Sequence, residues 1–174
     1  MGPLIFIIYI NDIPNCLQFC KIAMYADDTV IYFSARSIHT IEQAIQSDSA
    51  RLAQWFSANK LSLNPTKCKT MLVGSPRAND IHNKLHLILT GTTLDQVDTF
   101  KYLGVSIDNK LKWHNHIEQV SKKLAQVVGI MKCLKPYVNK QALLTIYTGL
   151  FLPHIQYCST VWDQGGKGNL EKLQ

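Results

Sequence analysis

The stretch MYADDTVIYF, residues 24 to 33, sets two carboxylates, Asp27 and Asp28, side by side within a run of strand-forming residues. Like charges that close repel unless a cation neutralises them. The runs CKIAMY and TVIYF flank Ala26-Asp27-Asp28, whose residue types suit a tight turn. At such a tip both carboxylates can lean into the same space. Hard oxygen ligands there suit Mg²⁺ or Mn²⁺, which bind through one or two carboxylates together with substrate phosphates. The chemistry implied is phosphoryl transfer assisted by metal ions. Two readings compete. An Asp-Asp pair also serves as a plain solvated turn, and it could belong to a small metal-dependent phosphohydrolase, although no His or Glu cluster accompanies it.

The elements that must position this pair follow from the pattern around it. PLIFIIYI, residues 3 to 10, is continuously apolar and reads as a buried helix or a buried strand, which periodicity does not separate. From Ser37 to about Asn59, the residues Ile41, Ile45, Leu52, Trp55 and Phe56 recur at helical spacing, with Ser37 or Thr40 as the cap. That helix covers a sheet. LSLNPTKCKTMLVG offers a turn at Asn64-Pro65 and then a strand, and LHLILTG and FKYLGVSID supply further strands. After Asp108, the residues Ile117, Val120, Leu124, Val127, Met131 and Leu134 form one stripe of a long helix, with Lys122 and Lys123 off it. A second helix runs from Asn139 to about Leu152, is broken by Pro153 and continues through HIQYCSTVWD. The fold class is therefore α+β, with a boundary near residues 108 to 112 and a Gly-rich tail from 164 to 174 that is expected to be flexible.

Composition narrows the setting. With 47% hydrophobic and 17% charged residues, the chain has globular proportions. No apolar run is long enough for a membrane span, and no signal-peptide pattern opens the sequence, so an intracellular protein in nucleus or cytoplasm is expected. Five cysteines without a C-x-x-C pair argue for reduced, small core residues. Residues 1 to 100 carry eight basic and eight acidic side chains, whereas 101 to 174 carry ten and four, so the whole net charge of +6 lies in the second part. A basic half suits a phosphate-backbone partner, and equally a solvated lysine face. His114 and His116 form H-x-H without a third ligand, so a capping or phosphate contact is expected there rather than a metal.

Tyr25-Ala26-Asp27-Asp28 between strands resembles the catalytic hairpin of reverse transcriptases. The ordered segments GPLIFIIYINDIP, YADDT, LSLNPTKCKTMLVG, FKYLGVSID, LKWHNHI and LFLPHIQYCSTVW resemble those of non-LTR (LINE-like, jockey-type) retrotransposon reverse transcriptases over roughly residues 2 to 163. The resemblance implies a partial polymerase palm over 1–109, an antiparallel sheet with packed helices. An α-helical thumb with a C-terminal extension would follow over 110–163. It implies RNA-directed DNA synthesis, with Asp27 as main ligand of two Mg²⁺ or Mn²⁺ ions and Asp28 as an auxiliary carboxylate. Lys67, or less favourably Lys69, would protonate the departing pyrophosphate. Tyr25 would lie near the primer terminus, which Phe100, Lys101, Tyr102, Leu103 and Gly104 would hold. Lys122 and Lys123 would contact nucleic acid, and Gly2, Pro3 and Phe6 would be a remnant of the template and nucleotide pocket. The implied partners are an RNA template, a DNA primer and deoxynucleoside triphosphates, with no membrane. The sequence fixes no oligomeric state.

The resemblance also implies a further metal-binding carboxylate on a strand before GPLIF, a Gln-Gly-Ser and a fingers region, none of which this sequence contains. Asp12, the only acid before Asp27, is not taken as a substitute. The expectation is a C-terminal palm and thumb fragment that does not polymerise alone. The competing expectation is a non-catalytic basic nucleic-acid-binding module derived from such an enzyme.

Overall fold

The computed structural model describes residues 2–74 and 84–163. The expected flexible tail, 164–174, lies outside the described residues. Within them the chain divides into two compact units, one holding residues 2–72 and 84–97, the other 73–74 and 98–163.

The first unit opens with helix α1, Gly2–Ile10, and a 3-10 turn, Ile13–Cys16, whose first turn contains Pro14. The apolar run is thus a helix, but it is not buried as expected. Leu4 and Ile8 are 67% and 69% exposed, and only Ile10 is buried. A helix that is apolar all round still offers one stripe to one neighbour. Here Phe6 and Ile10, one turn apart, take that place. They join Ile13 and Leu52 in a core completed by Ile22, Met24 and Ile31 from the hairpin below and by Trp55, Phe56 and Leu61.

Strands β1, Lys21–Tyr25, and β2, Asp28–Tyr32, form an antiparallel hairpin. Helix α2, Ile38–Ala58, follows as the apolar spacing predicts, burying Ala44, Asp48, Ser49 and Leu52. Ser37 stands at its N-cap in an extended conformation. Leu85, Leu87 and Leu89 are buried while His86 and Ile88 face outward, the period-2 pattern of a strand. Of this stretch only β4, Ile88–Leu89, pairs in a ladder, with β5, Thr92–Thr93. Around it, the Leu85 N–H donates to the Gln96 side chain at 2.7 Å, the Leu87 carbonyl accepts the Leu94 N–H at 2.8 Å, and α2 adds side-chain bonds. Gln46 accepts from the Ile88 N–H and donates to its carbonyl, both at 2.8 Å, and Glu42 accepts from the His86 N–H at 2.7 Å. Strand β3 is only Lys69–Thr70 and pairs in parallel with β6, Asp95–Gln96.

In the second unit, β7, Thr99–Tyr102, and β8, Val105–Asp108, form a hairpin. Helix α3 spans His114–Leu134 and buries Ile117, Val120, Leu124 and Val127, four of the six residues of the stripe read from sequence. The Asp108 carboxylate accepts the N–H groups of Lys110, Lys112 and Trp113, fixing a link in which Leu111 and Trp113 hold φ of 52° and 62°. Helix α4, Lys140–Ile146, is capped by Asn139, whose side chain accepts from the Ala142 N–H. A π-helical turn, Tyr147–Phe151, leads into α5, Leu152–Gln156, and α6, Ser159–Trp162, closes the unit. The helical path continues past Pro153 as expected, but the break expected at that residue is not seen. Pro153 sits in the first turn of α5, where its missing N–H is tolerated and the π turn absorbs the change of register. The core of this unit is Val105, Trp113, Ile117 and Trp162, with Ile107, Ile155 and Cys158 against it.

Mixed α+β character is observed, with small sheets, most of them antiparallel. The described strands form four separate two-stranded ribbons, one of them parallel. The 99–108 hairpin, grouped by its strand pattern with residues 1–109, belongs to the helical unit, because Val105 and Ile107 are part of its core. Cys16, Cys20, Cys68 and Cys158 are free and half-buried, whereas Cys133 is exposed and so no core residue. No helix among the described residues is long and apolar enough to cross a membrane.

Candidate active site

The hairpin that carries the aspartates is in register from Lys21↔Tyr32 to Tyr25↔Asp28, leaving Ala26 and Asp27 as the two-residue connection. Ala26 takes φ 51°, a left-handed conformation that costs a residue with a Cβ about 1 kcal/mol. Ile22, Met24 and Ile31 hold the inner face of the ladder on the unit's core. The tip is thereby held out: Asp27 and Asp28 are exposed, and Tyr25, paired across the strands with Asp28, is 66% exposed. Both carboxylates are open to a cation, and hard oxygens of this kind suit Mg²⁺ or Mn²⁺. Among the described residues no group of three or more His, Cys, Asp or Glu side chains could hold a metal.

The carboxylate that anchors this hairpin was not singled out from sequence. Asp48 of α2 is fully buried and accepts the N–H groups of Gln18, Phe19 and Cys20 at 3.0, 2.8 and 2.7 Å, the three residues leading into β1. Burial by itself pushes the Asp48 carboxyl up, but the bonds from the Cys20, Gln18 and Phe19 backbone outweigh it and hold the group below its ordinary value. Arg51, one turn on, bonds the Gln18 side chain and lies 3.9 Å from Asp48. The signal was present: Ala44, Asp48 and Leu52 share one helix face at steps of four, so the acid falls on the buried stripe.

Lys67 is exposed in the turn after Asn64-Pro65, its N–H donating to the Asn64 carbonyl. Lys69 is committed to Asp95, 2.6 Å away. Asp12 accepts from the Trp55 indole and precedes the 3-10 turn, a structural position. Gly2 and Pro3 are exposed at the start of α1, while Phe6 packs into the core. The hairpin thus brings Tyr25, Asp27 and Asp28 together, whereas Gly2, Pro3, Phe6 and Lys67 stand elsewhere in this unit.

In the second unit, Phe100, Lys101 and Tyr102 pair with Ile107, Ser106 and Val105, and Leu103-Gly104 forms the tip with φ of 46° and 86°. Phe100 and Lys101 are exposed. Lys122 pairs with Glu118 at 2.8 Å on the outer face of α3, and Lys123 is exposed beside it. Between Glu118 and Asp163 the chain has five lysines and no acid. His116 is turned into the core of this unit rather than toward solvent. It is 5% exposed, its Nδ1 accepts the Ser106 N–H, and its ring meets Trp162 edge-on at 5.8 Å. Burial, helped by the Lys123 charge, holds its pKa below the ordinary histidine value.

A sequence model of the family described as "Reverse transcriptase (RNA-dependent DNA polymerase)" matches residues 1–107, more than half of the chain. The chain belongs to the reverse transcriptase family. It is 26% identical over 188 residues to the probable RNA-directed DNA polymerase from transposon BS of Drosophila melanogaster. It is 25% identical over 184 residues to the RNA-directed DNA polymerase from mobile element jockey of the same species. Both alignments take in 100% of this chain and 20% of the relative. A Pol polyprotein from a type-1 retrotransposable element R1 of Nasonia vitripennis is 26% identical over 159 residues, covering 82% of this chain and 41% of that protein. No solved structure matches the chain. The chain thus spans about a fifth of the length of the curated mobile-element polymerases it matches first, and the jockey-type resemblance is borne out. The reverse transcriptase match ends within β8, so residues 108–163 are related to these proteins through whole-chain similarity alone.

Proposed function

We propose that this chain is the segment of a non-LTR retrotransposon RNA-directed DNA polymerase that carries the metal-binding hairpin, the primer-holding hairpin and the start of the helical thumb. The observation that carries the reading is the exposed Asp27-Asp28 pair at the tip of a tight hairpin inside the stretch matched to the reverse transcriptase family. In this reading residues 2–72 and 84–97 are palm, and α3 to α6 are thumb and extension. The 99–108 hairpin is the primer grip, carried on the thumb-side unit.

Asp27 would be the main ligand and Asp28 the auxiliary one for Mg²⁺ or Mn²⁺, with RNA template, DNA primer and deoxynucleoside triphosphates as partners. When bound, a divalent cation supplies activation of the attacking 3′ hydroxyl and charge neutralisation at the leaving pyrophosphate. The chain's own part is positional and electrostatic. Asp48 sets the approach of β1, the Tyr25↔Asp28 pair closes the ladder, and Ala26 turns both carboxylates outward. Lys67, exposed on its turn, is the group that would deliver a proton to pyrophosphate, since the Lys69 ammonium is held by Asp95. The segment alone is expected not to polymerise, because two carboxylates give only part of a two-metal cage. Primer extension on an RNA template tests this. Intact polymerase containing the segment should lose extension with Asp27→Ala, and detectable Asp27-dependent extension by the 174-residue chain would overturn its inactivity.

The run of five lysines without an acid supports a second reading, a basic nucleic-acid-binding module. Duplex binding that is unchanged by Asp27→Ala together with intact extension in that variant would favour it.

A further inference from the structure

Leu103 and Gly104 form a two-residue hairpin turn in which both residues have positive φ. Asn-Gly or Asp-Gly specifies such a turn on its own, whereas a leucine at the first position does not. Something outside the hairpin must hold the tip. Tyr157, just after α5, does so with one hydrogen bond and with its ring set beside the glycine. Its hydroxyl donates to the Leu103 carbonyl at 2.6 Å, and a Cβ placed on Gly104 would lie 3.5 Å from its ring. Tyr157 is itself anchored: its N–H donates to the Pro153 carbonyl at 3.0 Å, and its own carbonyl accepts the indole N–H of Trp162, 2% exposed, at 2.9 Å. Tyr157 remains 52% exposed, so the tip is braced from one side without being covered.

We propose that Tyr157 is a positioning residue which braces the Leu103-Gly104 tip so that the 99–108 hairpin presents a fixed backbone to a primer 3′ end. The ligand assignment rests on the primer-grip reading above, whereas the brace rests on geometry alone. It lies beyond residue 107, where the family match ends, so the C-terminal helices would be needed for a function that the matched stretch carries.

Hydrogen exchange on the free 174-residue chain tests the brace. Tyr157→Phe keeps the ring and removes the bond, and should speed exchange of the Val105 amide, paired with Tyr102 across the turn, about fivefold, the net worth of one hydrogen bond, with Tm little changed. Adding Leu103→Asn, which makes the turn self-specifying, should restore slow exchange. Unchanged exchange in Tyr157→Phe, or no rescue by Leu103→Asn, overturns the brace. Anisotropy with an RNA-DNA duplex carrying a recessed DNA 3′ end, against the same duplex made blunt, tests positioning. Tyr157→Phe should cut the preference for the recessed end about fivefold and leave blunt-duplex affinity alone. Equal loss for both ligands, or no loss, overturns the role. Loss with Phe100→Ala but not with Tyr157→Phe overturns Tyr157 alone. No loss with Phe100→Ala overturns the primer reading of the hairpin, and the positioning role falls with it.

Discussion

The Asp48 carboxylate accepts the backbone N–H of Cys20 at 2.7 Å, joining the middle of α2 to the residue that precedes β1. With Phe19 and Gln18 bound as well, one buried side chain sets the entry to the strand that ends at Tyr25. Asp48→Ala would leave three N–H groups without their acceptor and should cost about 3 kcal/mol, read by urea unfolding of the chain. The folded-state value lies below the ordinary 3.8, so this contribution is complete above pH 3.8 and is lost as pH falls through the lowered value. Stability independent of pH between 5 and 2.5 would contradict the assignment.

Cys20 is held in its thiol form. Burial, then its hydrogen bond to Asp48, pushes the thiol up to about 12. At pH 8 the native chain should alkylate at exposed Cys133 first, and Asp48→Asn should speed labelling of Cys20 severalfold, measured by peptide mass spectrometry.

His116 should give the second unit a mild acid sensitivity. Burial lowers its folded pKa below the ordinary 6.5, so its neutral form is favoured in the fold. The corresponding stability is full above pH 6.5 and is lost as pH falls through the lowered folded value. Unfolding followed by Trp fluorescence should show stability dropping between pH 7.5 and 5, with the drop reduced in His116→Phe. An equal drop in both proteins would assign it to other groups.

In an intact polymerase containing this segment, Asp27→Asn should lower extension by on the order of a hundredfold to a thousandfold. Asp28→Asn should cost less, in keeping with an auxiliary ligand. Single-turnover extension with Mg²⁺ and with Mn²⁺ measures both, and equal losses would remove the distinction between the two aspartates.

For the basic unit, duplex affinity should fall steeply with salt. Lys123→Gln should reduce the slope of log affinity against log salt by about 0.9, the value for one phosphate contact. Lys122 must first leave Glu118, an exposed pair worth little, so Lys122→Gln should act similarly. A slope unchanged in both variants would mean that this face of α3 does not meet phosphate.

Much of this was legible in local pattern. Two strand-forming runs around Ala26-Asp27-Asp28 fixed the hairpin, because a two-residue turn and period-2 alternation are short-range facts. The stripe from Ile117 to Val127 and the run from Ile41 to Phe56 determined α3 and α2, since helical periodicity repeats over several turns. What sequence could not decide was pairing and burial across distance. The run from Leu85 to Leu89 alternates like a strand, yet much of its edge bonds to Glu42 and Gln46 rather than to another strand. Phe6 and Ile10 are chosen over Leu4 and Ile8 only by where α2 and the hairpin lie. Asp48, His116 and Tyr157 look like ordinary polar residues in the chain. Their roles depend on partners 28, 10 and 54 residues away, and on desolvation that exists only once those partners are packed.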